Sequence, residues 1–168
     1  MKRKSGVISM EKMVFFDVDG VLSVPRYLIG GRMTIGTTSE EWKEYCRIHG
    51  EDTYEYCVGI REVRAYAEKL KAEGARLFVL SAVACKDEAR AKDKFIARLY
   101  PGLFEKNIYV DDAPDKVPYI LKMAEELGIP ASSCELVEDN LEVLFAANTA
   151  GIIPTHLSML VAEDLEEN

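Results

Sequence analysis

The chain has 168 residues, of which 48% are hydrophobic and 30% are charged. This composition is typical of one globular domain, or of one domain with a small insert. No apolar run approaches the ~20 residues of a membrane span. The 29 acidic and 21 basic residues give a formal charge of −8, which argues against binding to nucleic acid or to an acidic membrane surface. A small phosphorylated substrate stays compatible, because a local cation reverses the field at a single site.

The N-terminus and the cysteines indicate the compartment. The first nine residues, before Met10, are expected to form a loose leader, and no apolar signal-peptide segment follows them. The cysteines show no CxxC pair, which predicts free thiols rather than a disulfide or a zinc site. They are Cys46, Cys57, Cys85 and Cys134. We therefore expect a cytoplasmic protein.

Short apolar strands alternate with helical patterns along most of the chain. The predicted strands are 13–18, 76–80, 107–110, 134–137 and 151–153, and the predicted helices are 60–73, 86–99, 117–127 and 140–150. This alternation predicts an α/β fold, a doubly wound, Rossmann-like parallel sheet with helices on both faces. The buried faces of the last two helices are predicted to hold Val117, Ile120, Leu121, Ala124 and Leu127, and Leu141, Leu144 and Phe145.

Residues 23–58 interrupt this alternation, and they are far more numerous than a strand–helix connection requires. Gly30 and Gly31 are predicted to turn a hairpin. Thr38 followed by Glu41 is a capping-box pattern, which predicts a short helix over 39–48. We interpret the chain as a core domain, 1–22 and 59–168, with a small insert, 23–58, over one edge of it.

Residues that can take part in catalysis or in ligand binding follow each of the first four core strands. They are Asp17, Asp19 and Gly20 after the first, Ser81 after the second, Lys116 at the start of the helix after the third, and Glu138 and Asp139 after the fourth. Ligands of open α/β sheets bind at the carboxyl ends of the strands. Taken singly, each residue fits an ordinary turn, cap or surface position. Their order instead predicts one site, in which converging carboxylates hold Mg²⁺ and a lysine, a hydroxyl and backbone N–H groups neutralise a phosphate.

These segments resemble the motifs of the haloacid dehalogenase (HAD) superfamily of phosphohydrolases. The run FFDVDGVL at 15–22 is similar to its first motif, VLS at 79–81 to its second, Lys116 to its third and LVEDN at 136–140 to its fourth. The resemblance covers 13–22 and 59–153. Two positions depart from the pattern. Ala82 stands where a polar residue or glycine is more common, and Val143 stands where many members have a second aspartate.

The resemblance implies a Mg²⁺-dependent phosphatase that forms an aspartyl-phosphate. Asp17 would be the nucleophile and Asp19 the general acid and base. The phosphoryl group would be bound by Asp17, Gly20, Ser81, Ala82 and Lys116. The metal would be held by Asp17, the backbone carbonyl of Asp19 and Asp139, with Glu138 as a ligand either directly or through water.

The expected substrate is a small phosphorylated metabolite, either a sugar phosphate or a nucleotide. One alternative is a phosphomutase, which the short insert disfavours because mutases need a closing cap. Another is a phospho-accepting receiver domain, but its acceptor pair, Asp111 and Asp112, would follow Ser81 in the wrong order. A catalytically silent binding module is disfavoured by the presence of all four motifs.

The insert is expected to set the choice of substrate. It holds Trp42 and four tyrosines, Tyr27, Tyr45, Tyr54 and Tyr56, which either form a small core of their own or stack on a base or sugar. It is too small to seal the mouth of the site. Either the site stays open to bulky phosphates, or a neighbouring subunit of a homo-oligomer completes its roof.

Overall fold

The computed structural model describes residues 11–25 and 38–161. The strands are β1 (Met13–Phe16), β2 (Val24–Pro25), β3 (Cys57–Val58), β4 (Arg76–Ala82), β5 (Lys106–Val110), β6 (Cys134–Glu138) and β7 (Ile153–His156). The helices are α1 (Ser39–His49), α2 (Arg61–Ala72), α3 (Lys86–Leu99), α4 (Lys116–Leu127), α5 (Leu141–Thr149) and α6 (Ser158–Val161). None of the helices within these two ranges is long and apolar enough to cross a bilayer.

Five strands form one parallel sheet in the order β5-β4-β1-β6-β7. The first strand of the chain is therefore its centre, with β4 on one side and β6 on the other. Phe16 at the end of β1 is level with Val79 in β4 and with Val137 in β6. Asp17, Ser81 and Glu138 consequently lie within one residue of the same level at one edge of the sheet. The predicted doubly wound α/β fold is confirmed.

Apolar residues cover both faces of the sheet and hold its centre rigid. All four residues of β1 are fully buried, as an apolar strand at the centre of a parallel sheet should be. Val14 and Phe16 pack into one core with residues of α2 and α3, such as Val63 and Phe95. Met13 and Phe15 pack into a second core with residues of α4 and α5. The site residues at the end of β1 therefore begin from a backbone that is fixed on two sides.

The predicted buried face of α5 is wrong at two of its three positions. Leu141 and Phe145 are 69% and 76% exposed, whereas Val143, Leu144 and Ala147 are buried. This helix is apolar on almost every side, so periodicity alone does not fix which side faces the sheet. Two residues of α4, Leu121 and Leu127, are likewise exposed rather than buried, while its other predicted core residues are buried.

The last strand also differs from its predicted bounds, because it spans Ile153–His156 instead of 151–153. Gly151 has a φ of +80° and turns the chain after α5, and the Ile152 N–H still bonds to the Ala147 carbonyl. The strand therefore starts two residues later. It contains Pro154, which an edge strand tolerates because one side of its ladder is unpaired. The other predicted strands and helices are confirmed, with ends that shift by one or two residues.

Two short strands hold the ends of the insert together. Val24–Pro25 pairs antiparallel with Cys57–Val58. Between them, α1 begins with the predicted capping box, since the Glu41 N–H donates to the Thr38 hydroxyl (3.3 Å) and the Thr38 N–H donates to the Glu41 carboxylate (2.8 Å). The predicted hairpin at Gly30 and Gly31 lies outside the described residues. The four cysteines carry free thiols, as expected.

Candidate active site

Asp17 follows the central strand and is almost fully buried, with 6% of its surface exposed. Its Oδ1 atom lies 3.0 Å from the ammonium of Lys116 but has no hydrogen bond of good geometry. Burial raises the pKa of Asp17, and the Lys116 ammonium opposes only part of that rise. A buried carboxylate with an unsatisfied oxygen is a group prepared for a further positive partner.

Lys116, at the start of α4, lies between two carboxylates. Its Nζ is 3.0 Å from Asp17 Oδ1 and 2.6 Å from Glu138 Oε2. Burial lowers its pKa, but the two carboxylates outweigh burial and raise the pKa of Lys116 overall. The side chain is therefore cationic at neutral pH. The structure thus brings together the predicted third and fourth motifs, which lie 22 residues apart in the sequence.

Both oxygens of Glu138 already have partners. Oε2 accepts from Lys116, and Oε1 accepts from the backbone N–H groups of Asp139 and Asn140, at 3.2 Å each. Glu138 is almost completely buried. This arrangement orients Lys116 and the turn after β6, and it favours the water-mediated alternative over direct ligation of a metal.

Asp17, Glu138 and Asp139 form a cluster that could hold a metal ion. One carboxylate oxygen from each lies within 4.8 Å of the others, and Asp139 alone is exposed. The turn at Gly20 lies directly against Asp139: a Cβ at Gly20 would lie 2.6 Å from Asp139 Cγ and closer still to Oδ2. Gly20 has a φ of +75°, which glycine adopts without strain. The oxygen-only donors and the unsatisfied Oδ1 of Asp17 fit a hard divalent cation such as Mg²⁺.

Asp19 lies beside this cluster, and its side chain is 55% exposed. Its two oxygens have donors from two different parts of the chain. Oδ2 lies 2.8 Å from the ammonium of Lys92 in α3, and Oδ1 accepts from the hydroxyl of Tyr54 at 2.7 Å. Tyr54 belongs to the insert, so at least this part of the insert reaches the mouth of the site.

The residues that are predicted to bind phosphate beside Asp17 and Lys116 already have hydrogen-bond partners within the protein. They are Gly20, Ser81 and Ala82. The Ser81 hydroxyl is close enough to Asp17 to lower its pKa, and it also accepts from Lys92 at 3.0 Å. The Ala82 carbonyl accepts from Lys92 at 2.7 Å. The Gly20 N–H donates to the Ser23 carbonyl at 2.9 Å, so it is occupied within the turn. Phosphate binding by these three residues stays a prediction.

Lys92, the most enclosed charged residue at this site, is absent from the site that the sequence predicts. It lies in α3 with no exposed surface, and its other carboxylate partner is Glu88, one turn earlier, at 2.9 Å. A signal was present, because Glu88 and Lys92 share the buried stripe of α3 with Ala91 and Phe95. Charged residues four apart on an otherwise apolar stripe indicate a buried ion pair. Lys and Glu are almost never fully buried unless a charged or hydrogen-bonding group pairs with them.

The other candidates named from the sequence lie outside the cluster. Asp111 and Asp112 are both exposed, just beyond the end of β5. Within the insert, Trp42 stacks on Tyr45 with ring centroids 5.7 Å apart and meets Tyr54 edge-on at 6.3 Å. These aromatic side chains pack on one another, as the small-core alternative expects.

Three solved structures illustrate what this fold is similar to. A haloacid dehalogenase-like family hydrolase from Streptococcus pneumoniae is 15% identical with a TM-score of 0.56, covering 95% of this chain and 93% of that one. A D,D-heptose 1,7-bisphosphate phosphatase from Burkholderia thailandensis is 14% identical with a TM-score of 0.55, covering 94% and 88%. The corresponding enzyme from B. bronchiseptica, complexed with magnesium and phosphate, is 13% identical with a TM-score of 0.55, covering 92% and 87%. No protein-family model and no curated protein matches the sequence.

Proposed function

We propose that this chain, which has the fold of the haloacid dehalogenase-like hydrolases, is a magnesium-dependent phosphomonoester hydrolase. The observation that carries the proposal is the convergence on Asp17 of residues that follow other strands of the sheet. Lys116 lies 3.0 Å from its Oδ1, and Glu138 and Asp139 complete an oxygen cluster around it. Asp19 lies two residues further on, with its carboxylate at the mouth of the site. The substrate is a small phosphorylated metabolite, a sugar phosphate or a nucleotide.

Asp17 is the nucleophile in the proposed reaction. Its carboxylate oxygen forms a bond to phosphorus while the bond from phosphorus to the leaving oxygen breaks, and Asp19 gives that oxygen its proton. The ammonium of Lys116 has three N–H groups, of which one donates to Glu138 Oε2, while Asp17 Oδ1 lies 3.0 Å from Nζ. A further N–H would donate to a phosphoryl oxygen, and the Ser81 hydroxyl would supply another contact.

Hydrolysis of the aspartyl-phosphate then regenerates the site. Asp19, now a carboxylate, takes a proton from a water molecule, whose oxygen bonds to phosphorus as the bond to Asp17 breaks. Inorganic phosphate leaves, and the two aspartates return to their starting states. The same residue therefore serves as acid in one step and as base in the next.

The residues of the cluster fit magnesium. Asp17 and Asp139 would hold the ion together with the backbone carbonyl of Asp19, and Glu138 would reach it through water because both its oxygens are engaged. When bound, the ion would neutralise charge on the phosphate and on Asp17, which lets two anions meet. The neighbour that was complexed with magnesium and phosphate supports this assignment.

The order of the strands favours this function over a receiver domain. Taken in chain order, the five strands of the sheet have the order 3-2-1-4-5, in which the first strand is central. Receiver domains have the order 2-1-3-4-5, which places a later strand at the centre. The central carboxylate is therefore Asp17, and Asp111 at the end of the edge strand β5 has no basic partner among the described ion pairs.

Release of inorganic phosphate from a panel of sugar phosphates, nucleoside monophosphates and an aryl phosphate tests the proposal. We expect hydrolysis that requires Mg²⁺, stops with EDTA and returns when Mg²⁺ is restored. Asp17→Asn should abolish it. Asp111→Asn, which removes an exposed carboxylate from a neighbouring strand end, is the matched control and should retain activity. Turnover that survives chelation, or that Asp17→Asn retains, would contradict the proposal.

The same panel separates a phosphatase from a phosphomutase. A mutase would return an isomeric sugar phosphate, whereas a phosphatase releases inorganic phosphate and the free alcohol. We expect release, and we further expect substitutions in the insert, such as Trp42→Ala, to change KM for the preferred substrate more than kcat for a small aryl phosphate.

A further inference from the structure

Lys92 lies behind the acid–base aspartate, where it contacts the site without facing it. Its side chain is fully buried. Four oxygens surround its Nζ: Asp19 Oδ2 at 2.8 Å, Ser81 Oγ at 3.0 Å, the Ala82 carbonyl at 2.7 Å and Glu88 Oε1 at 2.9 Å. Two of these acceptors are carboxylates, which keep the side chain cationic even though burial opposes its charge.

This environment leaves Lys92 no means of binding substrate itself. An ammonium has three N–H groups, and here four acceptors already compete for them. Glu88 is fixed in turn, because its second oxygen accepts from the Ala84 N–H at 2.7 Å. Lys92 is therefore held rigidly from behind, and the one partner it has at the open side is Asp19.

Tyr54 approaches the same carboxylate from the insert. Its hydroxyl donates to Asp19 Oδ1 at 2.7 Å, and its ring is buried, with a centroid 5.9 Å from Lys92 Nζ. The two donors thus reach the two oxygens of one carboxylate from separate elements. An aspartate that is 55% exposed would otherwise rotate among several rotamers.

We propose that Lys92 and Tyr54 are positioning residues, which together fix the carboxylate of Asp19 for proton transfer to the leaving group. The two hydrogen bonds set both the position and the rotation of the carboxylate plane. This inference rests on the proposed function, because it gives a role to residues that act through the general acid.

The hydrogen-bonding properties of Lys92 and Tyr54 indicate which oxygen of Asp19 transfers the proton. The Lys92 ammonium can only donate, so Oδ2 stays an acceptor while that contact lasts. A protonated Oδ1 keeps a lone pair that accepts from the Tyr54 hydroxyl, so that contact persists while the Oδ1 proton faces the leaving group. Oδ1 is therefore the oxygen that passes the proton to the leaving group.

Substrates with different leaving groups test this role. The quantity to compare is kcat/KM, which reports the steps up to departure of the leaving group. Lys92→Met should reduce kcat/KM for an alkyl phosphate about 10- to 100-fold more than for an activated aryl phosphate, because only the poor leaving group needs a well-placed acid. Lys94→Met is the matched control, since Lys94 lies on the same helix in an exposed pair with Asp52. It should lose nothing with either substrate.

Two further variants keep the test decisive if Lys92→Met folds poorly in a thermal melt. Tyr54→Phe removes a single hydroxyl and should show the same selectivity, with about a tenfold larger loss for the alkyl phosphate. Asp19→Asn removes the acid itself and should cost the alkyl phosphate more than the aryl phosphate, so Lys92→Met or Tyr54→Phe added to it should cost nothing further that depends on the leaving group.

The possible results distinguish failure of this inference from failure of the proposed function. Equal losses for both substrates in folded Lys92→Met and in Tyr54→Phe would overturn the inference, as would losses that add fully to those of Asp19→Asn. In both cases the wild type still hydrolyses both substrates with Mg²⁺, so the proposed function stands. A wild type that hydrolyses neither substrate would instead overturn the proposed function.

Discussion

At the scale of single residues, Asp17 is placed for reactivity at the expense of stability. It is buried beside Glu138, and the one cation between them, Lys116, leaves a net negative charge. Asp17→Asn removes that excess charge while keeping the shape. We therefore expect Asp17→Asn to raise the Tm of the metal-free protein by roughly 2–8 °C, about 1–2 kcal/mol, although it abolishes turnover. A thermal melt in EDTA checks this, and an unchanged or lower Tm would contradict it.

The raised pKa of Asp17 also predicts how stability depends on pH. Because the folded state holds this proton more tightly than the unfolded state, its contribution is complete below the ordinary value of 3.8 and is lost as the pH rises through the raised folded pKa. The gap in unfolding free energy between Asp17→Asn and the wild type should therefore widen with pH. Denaturant unfolding of both proteins in EDTA, from about pH 4 to about pH 8, measures it. A gap that stays constant would contradict this expectation.

Gly20 is the position where one added methyl group should disturb the metal site. Gly20→Ala would place a Cβ against Asp139 and force a φ of +75° on a residue with a side chain, which costs roughly 1–2 kcal/mol. We expect the Mg²⁺ concentration for half-maximal activity to rise about tenfold, or 1.4 kcal/mol. Gly128→Ala is the control, because its φ is +67° but nothing lies within 4 Å of its Cβ. Equal Mg²⁺ requirements in the two variants would contradict the expectation.

Some residues of this site could be predicted from the sequence, and others could not. Asp17, Asp19 and Asp139 could be predicted because they follow apolar strands, and parallel strands end at one edge of a sheet. Lys92 could not be assigned in the same way. Its four acceptors lie in three segments, and only the folded packing of α3 brings its ammonium to Asp19.

At the scale of elements, hydrophobic periodicity predicted the bounds of the helices better than it predicted which face of each helix is buried. The bounds of α3 agree with the predicted 86–99, because Pro101 follows its end and cannot continue the helix. The orientation of α5 was wrong, because its sequence LEVLFAANT carries too few polar residues to mark an outer face. Helix existence is a local property, whereas the face that is buried depends on the sheet it meets.

Arg98 is one of the α3 side chains that attach the described part of the insert to the core, beside the ion pairs of Lys94 with Asp52 and of Arg90 with Glu51. Arg98 donates to the carbonyls of Tyr54 and Cys57, at 3.2 and 3.3 Å. Arg98→Gln should loosen this segment, and we expect amide hydrogen exchange over residues 50–58 to become about tenfold faster, because the loss of two hydrogen bonds favours local opening. Arg64→Gln is the control, since Arg64 donates to the Leu99 carbonyl away from the insert. Equal acceleration in both variants, or none in Arg98→Gln, would contradict this.

At the scale of the whole molecule, the strand order turns separate motifs into one site. The central position of β1 places Asp17 between the ends of β4 and β6, so residues 81 and 138 meet residue 17 across the sheet. The alternation of strands and helices predicted a doubly wound parallel sheet with these residues at its strand ends, but it did not predict which strand is central, because a receiver-like order has the same alternation. The packing of the described part of the insert was less predictable, since a segment of irregular structure carries no periodic signal for where it packs.

The central claim is that Asp17 carries the phosphoryl group during turnover, and trapping that group tests it most directly. The enzyme is quenched while it hydrolyses a substrate with Mg²⁺, and the acyl phosphate is reduced with borohydride, which converts the phosphorylated carboxyl group to an alcohol. Mass spectrometry of the peptides that contain residues 17, 111 and 139 then locates the change. We predict an alcohol at position 17 that depends on both substrate and Mg²⁺. Reduction at Asp111 or Asp139 instead, or none in an enzyme that is turning over, would contradict the claim.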